Sequence, residues 1–179
     1  VKLFALSSDL ASPTAVVRDD LERLRPWFLS HGLRLVLKRG LGVILEGSEE
    51  AVRRAYCALI VEQLGDEGLL SRLRVGDGEE APATAFSAWV LTRFGASSLK
   101  TAEAVLGGLP KASLPPLALS DYLGLVVHLA VAAARLSQGR RLAVPASPDS
   151  QALASAVRVA EAASRAFGLD FGAGEVEAL

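Results

Sequence analysis

The stretch SDYLGLVVHLAVAAARLSQG, residues 120–139, decides the fold expected of this chain. Between Tyr122 and Leu136 only His128 and Arg135 are strongly polar, so a helix here is apolar nearly all round. An amphipathic surface helix carries a polar stripe at the 3.6-residue period. This pattern instead predicts a central helix that neighbouring helices or a second subunit cover. A membrane span needs about 20 apolar residues, and Arg135 interrupts the run, so we expect no membrane contact.

Asp121, His128 and Arg135 recur at intervals of seven within this helix. Two helical turns cover about 7.2 residues, so all three lie near one face, each about 10 Å further along the axis. One turn to either side of His128 are Gly124 and Ala132, which leave a shallow groove that another protein's side chain could enter. The spacing alone favours a core histidine whose ring nitrogen is hydrogen-bonded inside a bundle, because buried polar groups are usually just satisfied. Both interpretations stay open on spacing alone.

The ends of the central helix are predicted from common capping residues. Ser120 is a favourable N-cap with Asp121 in the first turn, and Gly139 is a favourable stop behind Arg135. These residues place the helix between Ser120 and Gly139.

The bulk composition is that of a globular protein. The chain has 179 residues, 51% hydrophobic and 22% charged, enough for one large domain or two small ones. The net charge is −1, but residues 1–46 carry seven Lys or Arg against five Asp or Glu, a weak indication of a nucleic-acid face. The single Cys57 excludes an internal disulfide and suits the reducing cytosol. Two histidines and one cysteine so far apart predict no metal site and no cofactor.

The first 47 residues predict a helix, a turn, a second helix and a hairpin. Residues 1–11 form a short helix, and Ser12 then caps a helix with Pro13 at its first position. That second helix is expected to end near His31, whose ring is expected to interact with the helix dipole. One apolar stripe runs along it: Val17, Leu21, Leu24 and Phe28. Residues 33–47, LRLVLKRGLGVILEG, predict a β-hairpin with basic residues near its tip.

The remaining segments predict a helical bundle. Ser48 opens a helix to about Leu64, and residues 65–80 are an acidic, Gly-rich connection with one helical turn. Further helices are expected at 82–94 and 98–107, then a proline-rich loop. After the central helix, Ser147-Pro148 caps another helix that ends at Gly168, and a last helix begins near the chain end. The chain contains no Met and starts at Val1, so we expect it to be an excised fragment. Residues 1–10 lack the charged start and the long apolar run of a signal peptide, so none is expected.

Two segments resemble a known family. LSDYLGLVVHLAVAAARLSQG resembles the first histidine-bearing helix of a PTS regulation domain: an Asp, a run of three apolar residues, His, three apolar residues and Ala, then Arg and a Gly-containing turn. DDLERLRPWFLSHGLRLVLKRGLGVILEGSEEAVR resembles the winged helices that precede these domains. The chain is thus similar to the PTS-regulation-domain family of bacterial transcriptional activators and antiterminators. Within this family, the resemblance points to the mannitol-operon-activator type and not to the RNA-binding antiterminators.

The resemblance implies a mostly α fold, with a partial winged helix-turn-helix at 1–47 and a C-terminally truncated helical PTS regulation domain at 48–179. It implies a cytoplasmic regulator of sugar-uptake genes that is not an enzyme. His128 would accept a phosphoryl group from the phosphocarrier protein and the sugar-permease components of the phosphotransferase system. By helical phase Arg135 is the nearest cation for that phosphate, with Arg140 or Arg141 as alternatives.

In the intact protein the partner of the front segment would be DNA. Thr14 and Arg18 would face it from the second helix, and Lys38 and Arg39 would contact phosphates from the hairpin. The chain departs from the family pattern at the start of that helix, where residues 13–16 read Pro-Thr-Ala-Val. The resemblance therefore does not fix the base-reading side chains. It also places a further helix before Val1 and a second phosphorylatable histidine after Leu179.

Two other classes of function stay open. One is a helical dimerisation or interaction module without phosphorelay, in which His128 only packs. The other is a small-ligand sensor or enzyme that uses the groove beside His128. Labelling by the phosphocarrier protein would argue against the first, and a ligand-dependent melting shift would support the second. In either case a homodimer is expected, because the central helix has more apolar surface than a small bundle covers.

Overall fold

The computed structural model describes residues 1–74, 96–110, 114–143 and 152–178. The described part is mostly helical with one small sheet, as predicted. In chain order the elements are α1 (Leu3–Asp9), α2 (Thr14–Ser30), β1 (Arg34–Lys38), β2 (Gly42–Glu46), α3 (Glu49–Arg74), α4 (Ala96–Gly107), α5 (Leu119–Ser137), α6 (Ala152–Phe167) and α7 (Ala173–Glu177). The helix predicted at 82–94 and the cap predicted at Ser147-Pro148 lie outside the described residues.

The chain forms two compact units, residues 1–55 and 56–179. The division falls inside α3, whereas the sequence placed the domain boundary just before it, at 47/48. The reason is that the first turns of α3 belong to the core of the first unit. Leu33, Ala51 and Ala55 are buried together there, and Trp27 and Phe28 of α2 pack against them.

Helix α2 begins one residue later than predicted. Pro13, not Ser12, is the N-cap, and its carbonyl oxygen accepts the first helical hydrogen bond from the Val17 amide at 3.1 Å. The Ser12 hydroxyl instead donates to the Leu10 carbonyl at 3.1 Å. The predicted cap at Ser12 is therefore wrong, because its side chain closes the turn between the two helices.

The apolar stripe of α2 is only partly buried. Val17 is 3% exposed and Leu21 is half-buried, but Leu24 is 47% exposed. The prediction that Leu24 belongs to the buried face is wrong, and Trp27 contributes to the core instead. The helix ends at Ser30 as expected, and Gly32 takes a φ of 76°, which favours glycine.

The His31 ring closes the C-terminal end of α2. Its Nδ1 lies 2.8 Å from the Trp27 carbonyl oxygen, which can only accept, so Nδ1 carries the proton. The ring also stacks on the Trp27 indole, with centroids 4.2 Å apart. These contacts agree with the helix-end role expected from the sequence.

The hairpin forms as predicted, with Arg34 opposite Glu46 and Lys38 opposite Gly42. A third extended segment joins it, because the Val1 amine donates to the Val43 carbonyl at 2.9 Å and the Val43 amide donates back at 2.7 Å. A Cβ at Gly42 would lie 2.2 Å from the Val1 carbonyl oxygen, and its φ is 94°. Only glycine therefore allows Val1 to approach the strand so closely.

Helix α3 is longer than predicted and is kinked. The Ser48 hydroxyl accepts a hydrogen bond from the Ala51 amide at 3.1 Å, so Ser48 caps the helix as expected. Gly65 has φ 61° and ψ 176°, a conformation open essentially to glycine alone. The helix resumes after Gly65 and continues to Arg74, where the sequence predicted only one turn within a connection.

In the second unit, α5 is the centre of the core. Nine of its 19 residues are buried, among them Val127, Leu129 and Val131 at 0% exposure. They pack with buried residues of the neighbouring helices: Ile60 and Leu69 of α3, four residues of α4 (Leu99, Ala102, Val105 and Leu106), and Val159, Ala160 and Ala163 of α6. The predicted N-cap at Ser120 is wrong, since Ala118 takes that position without a side-chain hydrogen bond. Gly139 follows the helix end with a φ of 73°.

Helices α6 and α7 complete the second unit. Gly168 ends α6 with a φ of 64°, as predicted. The short helix α7 packs against the segment that follows α5, and Glu175 of α7 is only 4% exposed there. Its Oε1 accepts a hydrogen bond from the Leu142 amide at 3.1 Å, so this buried carboxylate holds the two segments together.

Candidate functional site

His128 lies on the least buried face of α5. Asp121 is exposed, whereas His128 and Arg135 are half-buried, and the seven-residue spacing places the three on one side of the helix. The apolar residues occupy the remaining directions and are buried within the chain itself. The prediction of a central helix covered by neighbouring helices is confirmed, and its three polar residues share the least buried face. Since its own chain buries those apolar faces, they no longer argue for a second subunit.

The predicted groove beside His128 is open on one side only. Within the part of the chain that the structure describes, a Cβ built on Gly124, one turn before, meets no atom within 4 Å apart from the backbone of its own helix. Ala132, one turn after, is 2% exposed and belongs to the core. A group approaching His128 therefore finds free space towards the start of α5 and packed side chains towards its end.

Arg135 lies two turns beyond His128, about 10.5 Å along the helix axis. Its Nη1 donates to Gln138 Oε1 at 3.2 Å, and its Cζ lies 5.9 Å from the centroid of the Tyr56 ring of α3. This is within the range of a cation–π contact. The sequence did not single out Tyr56, because no spacing rule relates residues on two separate helices.

Arg140 and Arg141 are the two other arginines predicted as alternatives for a phosphate on His128. Arg141 donates from Nη1 to the Asp170 carbonyl oxygen at 3.2 Å and to Asp170 Oδ2 at 3.0 Å. That side chain therefore holds the loop after α6, and the hypothesis that it folds back to His128 is not supported. Arg140 is exposed, and its amide donates to the Arg135 carbonyl at 3.0 Å.

The residues predicted to face DNA are all exposed on the first unit: Thr14, Arg18, Lys38 and Arg39. The Thr14 hydroxyl donates to the Ser7 hydroxyl oxygen at 3.1 Å, which ties α2 to α1. Arg18 lies one turn after Thr14 and two turns before Arg25, so helical phase adds Arg25 to this side of α2. Arg25 was not among the predicted contacts, although the same seven-residue spacing could have found it.

Charge is balanced on both parts of this surface. Helix α2 contains three arginines and three acidic residues, so its net charge is zero. On the hairpin, Lys38 Nζ lies 3.7 Å from Glu46 Oε1, and Arg34 Nε lies 3.1 Å from Glu46 Oε2. The hydrogen bond and charge of Arg34, followed by the charge of Lys38, hold the pKa of Glu46 below its usual value. Of the two DNA contacts predicted on the hairpin, Lys38 is paired with Glu46, whereas Arg39 takes no part in these ion pairs.

Two further features bear on the alternatives. Among the described residues, no group of three or more His, Cys, Asp or Glu side chains is placed to hold a metal ion. A surface groove of about 450 Å³ lies between α6 and the segment that follows it. The lining includes Val157, Ser164 and Phe171 but no residue of α5, so this groove is separate from the face of His128.

Within the described residues, α5 is long and apolar enough to cross a membrane by length and composition alone. The argument from length and Arg135 therefore does not by itself exclude a span. Half of its apolar window is buried inside the chain, which the core helix of a folded domain also shows.

Comparison with protein-family models, with curated proteins and with solved structures finds no match to this chain.

Proposed function

We propose that this chain belongs to a bacterial transcription regulator of sugar-uptake genes and that phosphorylation of His128 controls it. The proposal rests on the two sequence resemblances and on one structural observation. In an otherwise buried helix, the single histidine lies on the least buried face beside open space at Gly124. That space gives a donor protein room to approach the ring. The phosphotransferase-system proteins are the proposed donors, and the cytoplasm the proposed location.

The chemistry of the site agrees with a phosphoacceptor. Imidazole nitrogen is a good nucleophile near neutral pH. The phosphohistidine that forms carries about two negative charges and gains from a nearby cation. Arg135 shares the face of His128 and is the proposed partner of that phosphate. The acceptor is modified and regenerated by other proteins, so the chain is proposed to be a regulated switch and not an enzyme.

The first unit supports the proposed winged helix-turn-helix. Helices α1 and α2 are joined by a tight turn, and the hairpin packs next to α2. Val1 widens the hairpin to three extended segments and fixes it to the start of the chain. Exposed Thr14 and Arg18 on α2 and Arg39 on the hairpin are the proposed DNA contacts. Association of two copies is also part of the proposal. It does not follow from the core, because the chain itself buries the apolar faces of α5.

The test combines labelling with a binding measurement. The chain is incubated with phosphoenolpyruvate, the phosphocarrier protein and its charging enzyme, and acid-labile phosphate is followed together with subunit association and affinity for a random-sequence DNA duplex. We expect label together with a change in association or in DNA affinity, and a part of that change in His128→Asp without any donor. Label without either change would reject the switch, and absence of label would favour the interaction module.

A further inference from the structure

Arg135, the proposed partner of the phosphate, is already engaged when His128 is unmodified. Its guanidinium lies over the Tyr56 ring at 5.9 Å and donates to Gln138. Tyr56 packs against the hydrophobic core of the second unit, and this packing fixes the position of its ring. The ring is therefore one of the groups, together with Gln138, that hold the guanidinium of Arg135 in place.

Helix geometry gives Arg135 a second place to go. Side chains of a helix lean towards its N-terminus, so the natural direction of Arg135 is towards His128. The two residues are separated by about 10.5 Å along the axis, and a phosphoryl group on the imidazole shortens that gap. A dianion attracts the guanidinium more strongly than a neutral aromatic face does. The two positions of Arg135 are mutually exclusive.

We propose that Tyr56 is a positioning residue that holds Arg135 away from His128 until the phosphoryl group arrives, when Arg135 leaves the ring. This inference rests on the proposed phosphorylation of His128 and adds its regulation. Tyr56 and Arg135 both belong to the second unit, so the contact that changes lies within that unit.

The experiment uses phosphoramidate, a small donor that needs no partner protein. The phosphorus–nitrogen bond of the donor breaks, a bond from phosphorus to an imidazole nitrogen forms, and the departing ammonia takes the imidazole proton. Because this reagent replaces the phosphocarrier protein, the inference is tested separately from the proposed function. Label at residue 128 from phosphoramidate but none from the phosphocarrier protein would refute the function and leave the inference standing.

The first measurement is the rate of labelling at residue 128. Tyr56→Leu keeps an apolar side chain but removes the aromatic face, so we expect labelling to become about threefold faster, as Arg135 is freed. Tyr56→Phe keeps the face and should label at the rate of the unchanged chain. In an Arg135→Gln background, Tyr56→Leu should have no effect. An equal effect in both backgrounds, no effect in either, or a Phe variant that behaves like Leu would overturn the inference.

The second measurement needs no substitution and so does not depend on a variant folding. Because the guanidinium lies 5.9 Å from the centroid of the Tyr56 ring, the side-chain proton resonances of Arg135 should be shifted upfield in the unmodified chain. On phosphorylation these resonances should return towards their ordinary positions, while those of Tyr122, away from this contact, stay unchanged. Resonances of Arg135 that keep their ring shift when His128 is fully phosphorylated would contradict the release, as would a lack of phosphoramidate labelling at residue 128.

Discussion

At position 128 the exposure of the side chain decides which phosphoryl donors can reach the imidazole. The His128 side chain is half-buried and its backbone belongs to a helix, which gives a donor protein a fixed target. Gly124, one turn before, leaves space on this side of the helix, because no side chain of the described residues comes within 4 Å of a Cβ built there. The space at Gly124 should therefore matter to a large donor and not to a small one.

The corresponding prediction compares two donors. Gly124→Leu should reduce transfer from the phosphocarrier protein by at least about tenfold, since a small misplacement of the donor suffices for that loss. Labelling by phosphoramidate should be almost unchanged, and both rates are measured on the intact protein by mass spectrometry. Gly124→Ala is the control, and it should stabilise the fold by about 0.5–1 kcal/mol because alanine favours a helix interior. Equal loss with both donors would show that the leucine disturbs His128 itself.

Glu46 is the residue whose ionisation should follow the hairpin. Arg34→Gln should raise the pKa of Glu46 towards its usual value, and Lys38→Gln should raise it less, because Arg34 supplies the largest effect. The pKa is lowered in the folded chain, so the stabilisation is present above the unfolded-state value and is lost as pH falls through the folded-state value. A carboxyl-carbon NMR titration measures these values. A larger change with Lys38→Gln would contradict the assignment.

Among the elements, helix α2 offers the clearest stability prediction. Val17→Asp should destabilise the first unit by several kcal/mol, because an unpaired carboxylate would replace a side chain that is 3% exposed. Leu24→Asp, on the same helix, should have a small effect because Leu24 is 47% exposed. Chemical denaturation of both variants checks this difference. Similar losses in the two variants would mean that Leu24 is covered in solution.

The elements also show what could be predicted from sequence. Apolar periodicity and the glycines at 32, 139 and 168 predicted where α2, α5 and α6 end, because a left-handed backbone after a helix favours glycine. Helix starts were predicted less well. Ser12 and Ser120 are good caps by residue type, but the backbone turned one or two residues away, and local propensity does not decide that. The exposure of Leu24 and the contact of Tyr56 with Arg135 depend on tertiary packing, which periodicity on one helix does not contain.

For the whole molecule, the two units carry separate parts of the proposed function. The exposed cations of the first unit are few and partly paired, so DNA binding should depend on individual contacts and not on a large basic surface. The proposed phosphorylation site, His128, lies in the second unit. Its effect on DNA binding therefore has to be measured on a chain that contains both units.

The DNA prediction concerns salt dependence. Arg39→Ala and Arg18→Ala should each weaken binding to any duplex and flatten the salt slope by about one unit, the loss expected for one phosphate contact. Lys38→Ala should have a smaller effect because Lys38 is paired with Glu46. Arg23→Ala is the matched control, since helical phase places it away from Arg18. Titration of a duplex at several salt concentrations measures the slopes, and equal changes for Arg18 and Arg23 would remove α2 from the interface.

The central claim is that the phosphoryl group is carried by residue 128, and the chain offers its own control because it has two histidines, His31 and His128. After transfer from the phosphocarrier protein, the phosphorus–nitrogen coupling seen by NMR in ¹⁵N-labelled protein assigns the label to one imidazole. We predict coupling to a ring nitrogen of His128 and none to His31, whose ring packs on Trp27 and closes the end of α2. Coupling to His31, or label that persists in the His128→Ala variant, would contradict the account.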